Sequence, residues 1–262
     1  MRTHVTNFDL RLRRRSLLGY TFGTAAYALI IVVLYPAFKS STSLNDLVKS
    51  SSTAAALFGI TGSITSPAGW LNANLYGNFL PLIMLLITIG YGASSLAGQD
   101  EEGTLSLAAT LPMSRRRILG EKVVALVVQA FVLAVANMAC MFVGRGFQLT
   151  IPFAHLLGAT VGVALLGVDF GLAAMALGSW TGSRGAALGV ASSLAAASYL
   201  VSSLAPVIHW MHPARFASLF YWSVGDAQLS RGLNVGSLGV LVAVGACSFA
   251  LALWAFNRLD LH

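Results

Sequence analysis

The sequence has few charged residues, and this scarcity excludes an ordinary soluble domain. Of its 262 residues, 10% are charged and 56% are hydrophobic, whereas soluble domains carry about 25% charged residues. At about 20 apolar residues per membrane helix, the chain has room for six or seven spans and their loops. We therefore interpret its net charge of +7 as basic residues at a membrane face and not as a nucleic-acid surface.

Cysteine and catalytic constellations are also scarce. The two cysteines, Cys140 and Cys247, lie in apolar runs, which predicts no disulfide framework and favours buried thiols. His209 and His212 have a spacing that could bind a metal, but two ligands without a nearby Cys or acid favour interface histidines, and we predict no metal site. No nucleophile has an evident base, and no G-x-x-x-x-G-K-[ST] phosphate loop occurs, so we predict a protein that is not an enzyme.

Six long apolar runs predict an all-α, polytopic membrane protein with one transmembrane domain over residues 1–262. The predicted spans cover 17–36, 78–98, 118–143, 154–178, 186–205 and 236–256. Lys and Arg favour cytoplasmic segments. With both termini in the cytoplasm, the inner segments hold Arg2, Arg11, Arg13, Arg14, Arg15, Arg115, Arg116, Arg117, Lys122, Arg184 and Arg258, and the outer ones hold Lys39, Lys49, Arg145, Arg215 and Arg231.

The segments outside the spans differ in length and character. Residues 1–16 form either an amphipathic helix on the inner leaflet, with Phe8, Leu10 and Leu12 in the lipid, or an ordinary basic flank. Residues 37–77 and 206–235 are predicted to be extracytoplasmic. The second of these is rich in Trp, Phe and Tyr, which suits a pair of short helices at the membrane interface.

The segment 98–117 interrupts two apolar runs with a high density of charge. Three acids at 100–102 open it and three arginines at 115–117 close it. Acids complement the dipole at the start of a helix, and Pro112 disfavours helical geometry in the residue before it. We therefore predict a short amphipathic helix over 99–113 on the cytoplasmic face, followed by a third span that Ser114 caps.

This segment resembles a motif of ABC-transporter permeases of the second export type, close to E-E-x-G-T-L-x-x-L-L-x-x-P-x-S-R with a following Lys, here Lys122. The ending "WAFNRLDLH" is similar to the Phe-x-Arg-Arg-Asp-Leu ending frequent in that family, with Leu259 in place of the second Arg. The resemblance implies a coupling helix that docks on an ATPase. The implied docking residues are Glu101, Glu102, Gly103, Thr104, Leu105, Pro112, Ser114, Arg115 and Arg116.

The resemblance also implies partners and a task. Such permeases dimerise with a second permease chain and pair with two copies of an ABC ATPase subunit, which bind the ATP and Mg²⁺; this chain itself is expected to bind no cofactor. The expected function is outward movement of a small amphipathic or lipid-like molecule of the drug or antibiotic class. The expected location is a bacterial cell membrane, with lipids and no nucleic acid as further partners.

Asp169 carries the main alternative, because this acid lies well inside the predicted fourth span. A charged group at the bilayer centre costs about 2.5–3.5 kcal/mol, so it should face protein or water. It is either a contact for a proton or a cationic substrate, or a structural carboxyl bonded to Asn137 or Gln129. A proton-coupled secondary transporter or channel would use Asp169; a permease-like subunit that does non-transport work is the third possibility.

Overall fold

The computed structural model describes residues 4–40, 63–101, 114–225, 228–232 and 234–258, and these residues are almost entirely helical, with no strand among them. Six of the helices are long and apolar enough to cross a membrane, as the sequence predicts. Five of them are α1 (His4–Phe38), α3 (Arg115–Val143), α4 (Phe153–Thr181), α5 (Arg184–Leu204) and α6 (Val235–Arg258). The second span in chain order is the helical stretch Pro67–Gly98, whose central helix is α2 (Phe79–Ala93).

Helix α1 begins much earlier than the predicted first span. Its 35 residues are about 53 Å long at 1.5 Å per residue, well beyond a hydrocarbon core of about 30 Å. Thr6 and Asp9 are buried against the bundle, while Phe8 and Leu12 are exposed. The described part of the N-terminal segment is therefore neither a separate surface helix nor a simple flank, because its polar face packs on protein.

The second span is also longer than predicted. Short helical turns continue α2 on both sides, over Pro67–Tyr76 before it and Ser94–Glu101 after it. Ser66 caps the first turn by accepting from the backbone N–H of Gly69, and Pro67 suits the first helical position. The predicted outer segment 37–77 thus ends in helix, and its residues 41–62 lie outside the described part.

Helix α4 lies at the centre of the bundle and packs against α2, α3, α5 and α6. Its glycines allow close approach: a Cβ at Gly167 would lie 2.4 Å from Cγ of Met84, and one at Gly171 would lie 2.7 Å from Cδ1 of Leu126. The small residues of the fourth span therefore serve packing within the subunit, as small side chains do between membrane helices.

The peripheral helices α1, α5 and α6 leave most of their apolar surface exposed. In the most apolar 18-residue stretch of each of these helices, only 22% of the stretch is buried, whereas 72% of the corresponding stretch of α4 is buried. Cys140 is half-buried, but Cys247 is exposed. The prediction that both thiols are buried is wrong for Cys247, because α6 turns much of its surface away from the rest of the chain.

Successive spans run in alternating directions, so their connections collect at two ends of the bundle. These two ends differ chemically. We call the end with residues 4–13, 94–101, 114–122 and 181–187 the loop end, because segment 102–113 leaves from it. The opposite end, the aromatic end, carries short helices at His209–Ala217, Tyr221–Gly225 and Gln228–Arg231. The aromatic segment was predicted as a pair of short helices, and the described residues form three.

Candidate functional site

The candidate site is the pair of roots from which segment 102–113 leaves the bundle. One root is the last turn of the second span, which ends at Glu101, and the other is Ser114, where α3 begins. Glu102, Gly103, Thr104, Leu105 and Pro112 lie outside the described residues, so their predicted place in a docking helix stays a prediction. The contacts of the two roots are well defined.

The first root is tied to the start of α5. Oε1 of Glu101 accepts the backbone N–H of Arg184 at 2.8 Å. A carboxylate in this position satisfies one of the free N–H groups at a helix start and complements the helix dipole. Glu101, for which the family resemblance implies ATPase docking, therefore joins the end of the second span to the fifth.

The second root is tied to the end of α6. Ser114 caps α3 as predicted, with its side chain accepting from the N–H of Arg117. Nη1 of Arg115 donates to the carbonyl of Phe256 at 2.9 Å, and its guanidinium lies over that ring, 5.8 Å from the centroid. A cation at the last carbonyls of a helix is stabilised by the dipole. Arg116 is exposed.

A buried ion pair lies directly behind the roots. Nζ of Lys122 is 3.5 Å from Oδ2 of Asp9 and donates to Oε1 of Gln99 at 2.7 Å. The same Asp9 oxygen accepts the hydroxyl of Tyr91 at 2.6 Å. The Lys122 and Asp9 side chains are only 1% and 3% exposed. This cluster therefore joins α1, the second span and α3 through an ion pair and hydrogen bonds between buried side chains.

A second carboxylate fixes the start of α1. Oε2 of Glu121 accepts the backbone N–H of Val5 at 2.8 Å, and the Thr6 hydroxyl donates to the backbone carbonyl of Glu121 at 2.8 Å. Arg117 pairs with Glu121 from the preceding turn at 3.4 Å. Glu101 and Glu121 thus each hold the first turn of another helix, and both lie close to a root of the segment.

The sequence reasoning named Lys122 but missed its partners Asp9, Tyr91 and Gln99. A signal for Asp9 exists, because it is the single acid in a basic N-terminal segment. Such an isolated acid beside arginines is exposed in many proteins, so only the packing of α1 on α3 shows that it is buried. Tyr91 and Gln99 carry no comparable sequence signal.

Asp169 lies far along α4 from this site, and its predicted structural partners do not bind it. Its Oδ2 atom is buried without a hydrogen bond among the described residues. Asn137 donates to Thr24, and Gln129 donates to the carbonyl of Ala125. Asp169 faces α6 instead, where a Cβ at Gly245 would lie 2.7 Å from Oδ1.

The histidines form no metal centre in the described part of the chain. No group of three His, Cys, Asp or Glu side chains there could hold a metal ion. Nε2 of His212 lies 2.9 Å from Nη1 of Arg215, which also lies over the rings of Phe216 and Tyr221. This arrangement suits an aromatic interface and gives no support to metal binding.

Comparison with known proteins agrees with this architecture. The family model described as "ABC-2 family transporter protein" matches residues 5–261. No protein with a curated description matches the chain significantly. The match covers nearly the whole chain, including both roots and all six long helices, and its family consists of membrane subunits that work with an ABC ATPase. The chain therefore belongs to the ABC-2 transporter family, as a multi-pass membrane permease of an ABC exporter.

Proposed function

We propose that segment 99–116 is the coupling element through which a separate ATPase drives this permease. The observation that carries the proposal is that both roots of the segment are tied to helices distant in sequence. Glu101 reaches α5, Arg115 reaches α6, and Lys122 reaches α1. A partner that displaces the segment would therefore act on most of the bundle at once.

The proposed mechanism needs no ATP site in this chain. ATP binding would close a pair of ATPase subunits, whose movement pushes on the coupling segments of two permease chains. Short, rigid connections suit this task, because packed elements move as units and do not absorb small displacements. The charged contacts at the roots are directional, so a push would turn the attached helices as well as shift them.

The proposed orientation places the loop end in the cytoplasm of a bacterial cell. Its support is the distribution of basic residues, since cytoplasmic segments carry an excess of Lys and Arg. Among the described residues, six exposed arginines lie at or near the loop end, and two, Arg145 and Arg231, lie at the aromatic end; the six are Arg11, Arg14, Arg15, Arg116, Arg117 and Arg184. The resulting assembly would hold two ATPase copies and two permease chains in one membrane.

The proposed substrate is a small amphipathic or lipid-like molecule of the drug or antibiotic class. Its support is the large apolar surface that α1, α5 and α6 leave exposed, including Phe22, Leu194 and Leu251. In the membrane such surfaces contact lipid or a second permease chain. A path between two such chains would be lined largely by apolar side chains, which favours a substrate that is itself partly apolar.

The test is co-purification of the full chain with its cognate ATPase. We expect the wild type to retain the ATPase and Glu101→Arg/Glu102→Arg to lose it, because four units of charge change at the docking surface. The control is Lys39→Glu/Arg145→Glu, two reversals at the aromatic end, which should retain the ATPase. Retention by the first variant, or loss in both, would contradict docking at this segment.

Asp169 supports a second candidate function, a proton- or cation-coupled transporter. A buried carboxylate oxygen without a partner in the described bundle is the expected feature of an ion path. The neutral variant Asp169→Asn separates the two functions. Coupling through Asp169 requires loss of transport in this variant, whereas an ATP-driven permease should keep it.

A further inference from the structure

Two adjoining cavities open at the loop end, between α1, the second span and the start of α5. The larger has a volume of about 230 Å³ and the smaller about 180 Å³. Arg13 and Arg184 line both cavities. The two cavities therefore form one cleft, with a guanidinium contributed by α1 and another by α5.

The smaller cavity adds aliphatic side chains to the lining of the cleft. Ser94, Ser95 and Gln99 line the larger cavity, whereas Leu17, Leu86 and Ile87 line the smaller one beside polar side chains. The exposed strip continues beyond it, because Leu86 and Leu82 lie one turn apart on α2 and are 51% and 62% exposed. A charged pocket thus opens onto an apolar track that follows a membrane span.

The charges in and next to the cleft leave an excess of one positive charge. Arg13, Arg184 and Asp9 line the cleft. Lys122 and Glu101 do not line it, but they contact residues that do. Asp9 is occupied by Lys122 and the Tyr91 hydroxyl, and Glu101 accepts the backbone N–H of Arg184. Three cations against two carboxylates make the cleft suitable for a monoanion.

The two arginines are held in different ways. Nη2 of Arg13 donates to the hydroxyl of Ser94, and its guanidinium lies 5.1 Å from the centroid of the Tyr91 ring. The side chain of Arg184 runs past Gly98, where a Cβ would lie 3.2 Å from its Cδ. No ion pair of the Arg184 guanidinium occurs within the described ranges. Arg13 is thus pre-oriented, and no ion pair among the described residues competes with an anion for the Arg184 guanidinium.

We propose that this cleft binds the headgroup of a phosphate-bearing anionic lipid. The phosphate would lie between Arg13 and Arg184, whose planar donor forks match phosphate oxygens. An acyl chain would follow Leu86 and Leu82 along α2. Basic pockets between membrane helices are a known setting for anionic headgroups, and the apolar track distinguishes a lipid from a free phosphate ion. The proposal does not depend on ATPase docking at segment 99–116.

The test is a binding titration of the full chain in a neutral detergent, followed by native mass spectrometry or tryptophan fluorescence. The probes are phosphatidylglycerol, the zwitterionic phosphatidylcholine and inorganic phosphate. We expect phosphatidylglycerol to bind about tenfold more tightly than phosphatidylcholine, and inorganic phosphate to bind far more weakly than either.

Substitutions then locate the site. Arg13→Gln and Arg184→Gln should each weaken phosphatidylglycerol binding about fivefold, the effect of one arginine near a headgroup. Arg184→Lys keeps the charge but loses the planar donor fork, so it should weaken binding less than Arg184→Gln does, and this partial recovery separates charge loss from misfolding. The matched control is Arg14→Gln, because Arg14 is exposed on the same turn of α1 and lines neither cavity.

Several outcomes would overturn the proposal. Equal binding of the two lipids would show that the arginines do not select charge. Equal losses in Arg14→Gln and Arg184→Gln would indicate a diffuse surface attraction. Inorganic phosphate that binds as tightly as phosphatidylglycerol would replace the lipid site with a free-anion site.

Discussion

The two ends of the helical bundle are held together by different chemistry. At the loop end, carboxylates and cations join elements far apart in sequence, as in the pair Asp9–Lys122. At the aromatic end, the rings of Phe216, Tyr221 and Trp222 lie with centroids 5.3–5.8 Å apart. Aromatic contacts stabilise mainly by burying apolar ring area, whereas charged hydrogen bonds join specific donor and acceptor atoms.

This difference is consistent with different tasks for the two ends. In the proposed mechanism the loop end passes a displacement from segment 99–116 to several helices, and its contacts cross between helices. At the aromatic end the ring contacts are local, as is the hydrogen bond from the Trp222 indole to the Phe216 carbonyl. Hydrogen bonds also cross between elements there, such as the one from the Tyr199 hydroxyl to Asn78, but none of them belongs to a buried ion pair among the described residues.

The largest expected effect is that of breaking the buried pair. Lys122→Met leaves the Asp9 carboxylate buried without its cation and should lower the free energy of unfolding by about 3–5 kcal/mol. The measurement is thermal unfolding of the purified chain in detergent. Asp9→Asn/Lys122→Met should recover part of the loss, because neither charge then remains.

Its matched control lies at the aromatic end. Lys39 donates to the side chain of Gln148 in an exposed place, so Lys39→Met should change stability by about 0.5 kcal/mol or less. Equal effects of Lys122→Met and Lys39→Met would remove the distinction between the two ends.

The next effect compares two tyrosine hydroxyls. Tyr91→Phe removes a donor to the Asp9 carboxylate and should cost about 1.5–3 kcal/mol, the range for hydrogen bonds to charged groups. The Tyr35 hydroxyl donates to the neutral carbonyl of Thr65 at 3.0 Å, so Tyr35→Phe should cost about 0.5–1.5 kcal/mol. Thermal unfolding of both variants in one detergent gives the ranking, and the reverse order would contradict it.

A smaller effect is expected at the aromatic cluster. Phe216→Ala removes two ring contacts and the cation–π contact with Arg215, at a side chain that is 51% exposed. The expected loss of stability is about 1 kcal/mol. Co-purification of the ATPase should be unchanged. Loss of the ATPase in this variant would indicate that it docks at the aromatic end and not at the loop end.

The smallest effect is expected for Asp169→Asn. The substitution keeps the shape of the side chain and removes a carboxyl group whose Oδ2 atom has no hydrogen-bond partner in the described bundle. Transport by the reconstituted complex should stay within about twofold of the wild type, since no ion pair is broken. Abolished transport with intact ATPase binding would establish the proton- or cation-coupled function.

The sequence predicts the number and approximate position of the spans, because long apolar runs leave few alternatives. Ser114 is likewise predictable as a cap, since Ser before a helical run has a local physical reason. The extension of α1 to His4 is not predictable in this way. The arginines at 11–15 indicate a membrane flank, and only the burial of Asp9 on α3 explains why the helix continues.

At the candidate site, too, the sequence predicts local features but not the contacts between distant residues. The charges at 100–102 and 115–117 mark the segment as exceptional, and the family resemblance assigns its role. The contact from Glu101 to Arg184 joins residues far apart in sequence, so no spacing rule reveals it. The partner of Lys122 also depends on how α1 crosses α3, which is decided by tertiary packing.

The most direct test of the account is site-specific photo-crosslinking in membranes that contain the cognate ATPase. A photoreactive phenylalanine analogue would replace Leu105 in the coupling segment or, in a matched chain, Phe216 at the aromatic end. We expect ATPase adducts from position 105 and none from position 216. Adducts from position 216, or none from position 105, would contradict the claim that the loop end receives the ATPase.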